Sequence, residues 1–237
     1  MKILVVNDDS VSAPGIAALA RAASLFGEVT VVAPSHQCSA LSQKLTLRET
    51  MMLRRYDAFP VPVSAAWELD GTPVDCVKVA LSHILQEEPD WVFSGINNGY
   101  NAGFDIAYSG TLGAAFEASR AGIPAIAFSI ASDKHLAAVE PYLTDVICEL
   151  IGSHPGVDCV WNVNFPSLAT RPLRGILRDR SVAQTSMFRE EYLEERLADG
   201  SSVLTCHGIP TPDSDIEEGS DAAAVRGGCI SIGKVRR

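Results

Sequence analysis

Two aspartates stand side by side where an apolar run ends, Ile3-Leu4-Val5-Val6-Asn7-Asp8-Asp9-Ser10. Adjacent carboxylates at the end of a buried strand repel each other unless a cation neutralises them. Capping the next helix would need only one of the two, leaving the other to face water. As a pair they suit a hard divalent ion such as magnesium or manganese, because carboxylate, hydroxyl and amide oxygens are poor ligands for zinc's softer preferences. Such an ion keeps positions for water and a phosphoryl oxygen. A second pattern, Tyr108-Ser109-Gly110-Thr111-Leu112-Gly113-Ala114-Ala115, reads as a Ser-Gly-Thr turn opening a helix of small residues. Unpaired N–H groups, the helix dipole and two hydroxyls make a phosphate cradle there. An ordinary cap without ligand is the alternative reading. The turn lacks the lysine of a Walker loop, which disfavours a nucleoside triphosphatase of that type. A cation site and an anion site on one edge point to phosphoryl transfer or hydrolysis, with the ion polarising the phosphate and the cradle holding its equatorial oxygens.

The elements that must bring these residues together alternate along the chain. Ile3 to Val6 reads as a buried strand, and Pro14 to Leu25 as a helix with proline in its first turn and Gly27 as its stop. Val29 to Ala33 is a strand, followed by a polar stretch from Pro34 to Lys44. Short extended pieces fill Met52 to Leu69, broken by Pro60 and Pro62. Thr72 to Leu85 is helical and Trp91 to Ser94 a strand, with a glycine- and asparagine-rich loop from Gly95 to Ser109. Gly110 to Arg120 is a helix, Ala125 to Ser129 a strand, Ala137 to Ile151 a helix, and Cys159 to Val163 a strand. This order predicts an α/β fold, a doubly wound, Rossmann-like and mostly parallel sheet covered on both faces. In such sheets ligands collect beyond the carboxyl ends of the strands. Asn7 to Ser10, Pro34 to Ser42 and Gly95 to Gly99 all fall there. From about Pro172 the pattern changes, and Pro210 to Ser220 is acidic with prolines. The expected organisation is a catalytic core over 1–170 and a smaller β-rich appendage over 171–237, packed on the core as a lid or oligomerisation segment.

Composition narrows the function classes. Of 237 residues, 47% are apolar and 20% charged, the balance of a soluble globular protein. The apolar run at the N-terminus is too short for a signal peptide, and no window approaches a membrane span. A cytoplasmic location is expected, without a membrane partner. The net charge of −10 argues against nucleic-acid polymers, which need a basic surface. It leaves room for a small phosphorylated substrate. Cys38, Cys76, Cys148, Cys159, Cys206 and Cys229 show no C-x-x-C spacing, so they read as idle thiols in a reducing compartment. His83, His135, His154 and His207 have no spaced partners, and Glu87-Glu88 reads as a solvated helix end.

Taken in order, these motifs resemble the survival protein E family of 5′/3′-nucleotidases. The likeness runs from Ile3 to Asp9, Ala13 to Ile16 and Val32 to Pro34 through Ser39, Ser42 and Leu45 to Leu47. It continues through Gly71 to Pro73, Asp75 to Val77, Ser94 to Asn97, Gly99 and Asn101, and the block from Tyr108 to Ala115. Gly122 to Ala125 and Asn162 to Asn164 follow. The resemblance implies one divalent metal ion, magnesium or manganese, bound by Asp8, Asp9, Ser39 and Asn97. It implies a phosphate-binding turn of Ser109, Gly110 and Thr111, and a catalytic role for Asp8, Asp9 and Asn101. The implied activity is hydrolysis of nucleoside 5′- and 3′-monophosphates, with some members also attacking short polyphosphate. Members are dimers or tetramers that exchange C-terminal segments. The chain departs from the family at Ser10, where glycine is usual, and in the loop His36 to Leu41, which puts His36 and Cys38 beside a ligand. Gly228-Cys229 replaces a glycine-tyrosine pair, while Asp221 and Ile230 to Ile232 fit the late motif.

Two other readings are compatible with parts of the pattern. Phosphoacceptor receiver domains also open with an apolar run and two acidic residues, but they need a third aspartate where this chain has Gly95-Ile96-Asn97. A non-catalytic nucleotide sensor would bind AMP with manganese yet release no phosphate.

Overall fold

The computed structural model describes residues 1–168 and 172–236. The expected boundary at 170/171 lies outside the described residues. Eleven strands are seen among them: β1 (Lys2–Val6), β2 (Glu28–Pro34), β3 (Leu53–Arg55), β4 (Ala65–Leu69), β5 (Trp91–Asn98), β6 (Ala125–Ile130), β7 (Cys159–Phe165), β8 (Gly175–Leu177), β9 (Phe188–Arg196), β10 (Ser202–Pro210) and β11 (Cys229–Arg236). The α-helices are α1 (Pro14–Ala23), α2 (Pro73–Val79), α3 (Gly110–Arg120), α4 (Leu136–Ile151) and α5 (Asp221–Arg226). Nine strands form one sheet in the order β3-β4-β2-β1-β5-β6-β7-β11-β8, and β9 and β10 form a separate antiparallel hairpin.

From β4 to β7 the strands are all parallel, in the Rossmann order. β3 runs antiparallel at one edge, and β11 pairs antiparallel with β7 at the other. The chain winds one way from β1 to β2 and β4, then the other way from β5 to β7. The switch point therefore lies between β1 and β5, and a ligand crevice is expected beyond their carboxyl ends.

The alternation of β1 splits the core. Ile3 and Val5 join the apolar layer under α1 and α4, while Leu4 and Val6 join the layer under α2 and α3. Both faces are covered, which is why the central strands read as unbroken apolar runs. α1 is rich in alanine, starts with Pro14 at a position where the missing N–H costs nothing, and ends at Ala23. Gly27 is not its stop. A Cβ there would lie 2.0 Å from the Met1 carbonyl oxygen, so Gly27 lets the chain cross the N-terminus closely. α2 is opened by a capping box between Thr72 and Asp75 and continues as one wider turn over Ala80–Ile84.

β5 extends four residues past the strand read from the sequence. It resumes pairing with β6 at Asn97 and Asn98 after an irregularity following Ser94. Gly95 makes this course accessible, with φ at +130° and the Phe128 carbonyl oxygen 2.3 Å from where a Cβ would sit. The C-terminal residues enter the main sheet through β8 and β11, and α5 packs on β11.

Candidate active site

Asp8 follows Leu4 and Val6 on the side of β1 that faces α3. It is 5% exposed, and its Oδ1 accepts a 2.6 Å hydrogen bond from the Thr111 hydroxyl. The first residue of α3 packs against the same carboxylate: a Cβ on Gly110 would lie 3.0 Å from the Asp8 Cβ and 3.1 Å from its Oδ2. Burial pushes the Asp8 carboxyl up to about 6; the Thr111 hydroxyl opposes this and the neighbouring Asp9 charge adds to it. Asp9 turns into a neighbouring cavity lined by Gln37, Asn98 and Asp133, where its Oδ2 accepts the Asn98 N–H at 2.8 Å and its Oδ1 accepts from Gln37 Nε2 at 3.4 Å. Burial also raises Asp9, opposed by the Asn98 N–H and reinforced by Asp133. The acidic pair thus sits directly beside the asparagine loop, although some ninety residues separate them in sequence.

Ser39, Asn97 and Asn101 line the same cleft as Asp8. Ser39 is exposed on the loop after β2, and that loop is tied down at both ends. Cys38 N–H donates to the Asp8 carbonyl at 2.7 Å, and Ser42 N–H donates to the Tyr108 carbonyl at 3.0 Å. Gly113 lets α3 pass beneath it, since a Cβ there would meet the Ser42 carbonyl oxygen at 2.3 Å. Asn97 uses its side-chain N–H to bond the Gly99 carbonyl at 2.9 Å, which commits the amide nitrogen and leaves its carbonyl oxygen as the free donor. Asn101 donates from Nδ2 to Ser129 Oγ at 2.8 Å.

Ser109 caps α3, its Oγ accepting the Leu112 N–H at 3.0 Å. The Thr111 hydroxyl is spent on Asp8, so the anion-facing donors of this turn are the Ser109 hydroxyl and the early main-chain N–H groups. The cleft encloses about 780 Å³ and includes Asp8, Ser39, Asn97, Asn101 and Ser109 on its walls. Its other walls carry Asp105 and Glu190, and the aromatic rings of Tyr100, Tyr108, Phe188 and Tyr192. Apart from Tyr108, which opens the Ser-Gly-Thr block, none of these wall residues was singled out from the sequence. Phe188 and Tyr192 fall in the C-terminal appendage, where no individual element is read from the sequence, and nothing in their spacing says which cleft they face.

The donor set fits a hard divalent cation. Asp8, Ser39 and Asn97 bring a carboxylate, a hydroxyl and an amide oxygen to one cleft, with Asp9 beside it in the chain, and all are hard oxygen donors; no group of three or more His, Cys, Asp or Glu that could hold a metal ion occurs among the described residues. The cleft walls hold three carboxylates and no lysine or arginine. A phosphorylated ligand would be repelled from such walls without a cation, which is a second reason to assign one. His36 does not enter the cleft; its Nδ1 lies 3.7 Å from Asp70 Oδ1 and 3.2 Å from Ser35 Oγ.

Sheet order, switch point and oxygen-lined cleft define a doubly wound α/β protein of the kind that handles a small anionic ligand beyond the carboxyl ends of its strands. The family model described as Survival protein SurE matches residues 3–192. The protein called 5'-nucleotidase SurE in Aeromonas hydrophila subsp. hydrophila is 36% identical over 236 residues, spanning 98% of this chain and 90% of the relative. The protein of that name in Geobacter sulfurreducens is 38% identical over 239 residues, spanning 98% and 86%. The crystal structure of the SurE protein from Aquifex aeolicus superposes with a TM-score of 0.84 at 32% identity, covering 100% of this chain and 93% of that one. The chain belongs to the SurE survival-protein family.

Proposed function

We propose that the protein is a metal-dependent phosphatase that hydrolyses nucleoside 5′- and 3′-monophosphates to nucleoside and inorganic phosphate. The observation that carries this reading is the seating of the α3 N-terminus on Asp8, through the 2.6 Å Thr111 hydroxyl bond and the Gly110 contact. That contact would bring an anion cradle up against a cation site, joined through the Thr111 side chain. The relatives named 5'-nucleotidase SurE support the substrate class. Asp8, Asp9, Ser39 and Asn97 would hold one magnesium or manganese ion. Bound there, the ion supplies charge neutralisation and Lewis-acid polarisation of the phosphoryl group.

The chain's own groups do the rest. Ser109 and the N–H groups of Gly110 and Thr111 bind the phosphoryl oxygens and stabilise the charge they carry in the transition state. Asn101, fixed through Ser129, orients the reacting oxygen beside the cradle. The Asn98 N–H holds the Asp9 carboxylate in place. The aromatic rings of the wall offer a surface on which a base can stack.

The appendage 171–237 is proposed as a lid or oligomerisation segment of a dimer or tetramer. Every residue of β9 and β10 is exposed, and an isolated two-stranded hairpin is marginal in water. Phe188 and Tyr192 extend that hairpin to the cleft. No helix among the described residues is long and apolar enough to cross a membrane. A cytoplasmic site of action accords with six free cysteines.

The test is a phosphate-release screen against nucleoside monophosphates with magnesium, with manganese and with EDTA. Release in the presence of metal and none in EDTA is expected. The Asp9→Asn variant should lose nearly all activity, because one of two neutralising charges disappears. An Asp9→Asn enzyme that keeps wild-type turnover would sink the metal assignment, and AMP binding without phosphate release would convert the protein to a sensor.

A further inference from the structure

Four hydrogen bonds converge on one residue of the cleft wall. Asn101 N–H donates to Asn164 Oδ1 at 2.9 Å, and Asn164 Nδ2 donates back to the Asn101 carbonyl at 3.0 Å. Asn162 Nδ2 donates to that same carbonyl at 2.8 Å, and Asn101 Nδ2 donates to Ser129 Oγ at 2.8 Å. The Asn164 side-chain amide therefore grips the Asn101 main chain from both sides, as a neighbouring strand would, while Ser129 fixes the orientation of its side chain. Asn101 Oδ1 takes no hydrogen bond from any described residue, and Asn101 lines the cleft.

The three donors and acceptors come from two paired strands. Ser129 on β6 stands in register with Asn164 on β7, and Asn162 lies two residues earlier on the same face. Ser129 and Asn164 are fully buried, and Asn162 is 2% exposed. Val160, on that face, packs in the apolar layer under α2 and α3, so apolar side chains at 162 and 164 would suit their surroundings. Buried amides are costly unless bonded, and Asn162 Oδ1 has no partner among the described residues. The two asparagines pair the buried Asn101 main chain, and the Ser129 hydroxyl goes further and fixes the Asn101 side chain itself, which main-chain pairing alone does not require.

We infer that Asn164, Asn162 and Ser129 are positioning residues that hold Asn101 in its productive orientation toward the reacting phosphate. The inference rests on the phosphatase reading above. Misplacement of a reacting group by even a fraction of an ångström lowers turnover without weakening the binding of substrate held elsewhere. Metal and phosphate are held by other residues, so the effect should fall on kcat.

The experiment is steady-state kinetics on AMP with manganese for wild type, Ser129→Ala, Asn164→Asp, Asn101→Ala and the double variant Asn101→Ala/Ser129→Ala, with manganese affinity measured in parallel. Asn164→Asp keeps the acceptor for the Asn101 N–H and sets a carboxylate oxygen against its carbonyl. Both single changes at 129 and 164 should lower kcat about tenfold or more, with KM and manganese affinity within about threefold of wild type. The double variant should match Asn101→Ala, because Ser129 acts only through Asn101. Wild-type kcat in Ser129→Ala, or a further equal loss when Ser129→Ala is added to Asn101→Ala, would overturn the inference. Ser129→Ala removes a single buried oxygen and carries the test alone if Asn164→Asp does not fold. A wild-type protein that releases no phosphate from any nucleotide takes the phosphatase reading down too, whereas an active enzyme indifferent to these changes removes only the positioning role.

Discussion

The metal-free protein should become more stable when Asp8 is replaced by asparagine, and more so as pH rises. Asp8 is buried against α3, and its carboxyl is pushed up to about 6 from the ordinary 3.8. A carboxyl raised in this way favours folding in its neutral form. That contribution is fully present below 3.8 and is lost as pH climbs through about 6. At 1.36 kcal/mol per pH unit, the complete loss is on the order of 3 kcal/mol, of which about half has occurred by pH 5. The asparagine of the variant cannot be charged, so its cost of burial does not change with pH, and the Thr111 hydroxyl still finds an amide oxygen to donate to.

Urea unfolding of wild type and Asp8→Asn in EDTA at pH 5 and pH 8 reads this directly. The stability difference should shift by about 1.5 kcal/mol in favour of the variant between the two pH values. Other titrating groups cancel because both proteins carry them. Adding manganese should then reverse the order, stabilising wild type and leaving the variant unmoved, since a ligand stabilises only the state that binds it. A difference that stays flat from pH 5 to pH 8 would show that Asp8 ionises as an exposed carboxylate does, and the account of the site as a strained anion pair awaiting a cation would fail.

Three further outcomes follow from the same geometry. Ser10 holds φ at +101°, a conformation suited to glycine, so Ser10→Gly should gain about 1 kcal/mol after its greater chain entropy and the lost 3.1 Å bond to Ser12 are counted, read as a higher urea midpoint. Gly110→Ala brings a methyl group to 3.0 Å from the Asp8 Cβ, so it should cut kcat about tenfold with little change in unfolding midpoint. Thr111→Val removes the hydroxyl bond that opposes the upward push on Asp8, so the Asp8 titration followed by NMR in EDTA should move to higher pH, and an unmoved titration would refute that bond.

The parallel half of the fold was legible because its strands are buried on both faces and its helices start with recognisable chemistry. Ile3 to Val6 and Ala125 to Ser129 are short apolar runs between turn residues, and Thr72-Pro73 and Ser109-Gly110 announce α2 and α3. The alternation predicted a doubly wound sheet that gathers the loops after its strands at one edge, while the switch point between β1 and β5 comes from the strand order. What the sequence did not display was the course of the chain within the loops. Gly95 reads as the end of a strand, yet β5 resumes pairing at Asn97 because the glycine allows the irregular step past Phe128. The double use of Thr111 was equally hidden. A threonine in a phosphate turn reads as a donor to ligand, and only the approach of β1 to α3 gives its hydroxyl to Asp8.

The C-terminal third resisted reading for a different reason: its structural partners are distant. β8 has three residues and finds its place only beside β11, more than fifty positions later. Asp221, a single acidic residue before three alanines, is fastened to the active-site loop. Its carboxylate accepts the Gly103 N–H at 3.2 Å, along with the N–H groups of Ala183 and Ala222 at 3.0 and 2.7 Å. Gly103 lies two residues after Asn101, and a Cβ there would lie 2.0 Å from the Thr185 carbonyl oxygen. The loop is thus held from β7 at residue 101 and from the start of α5 at residue 103. The residues assigned to chemistry end at Thr111, but the loop that carries Asn101 is fastened by side chains spread from Ser129 to Asp221.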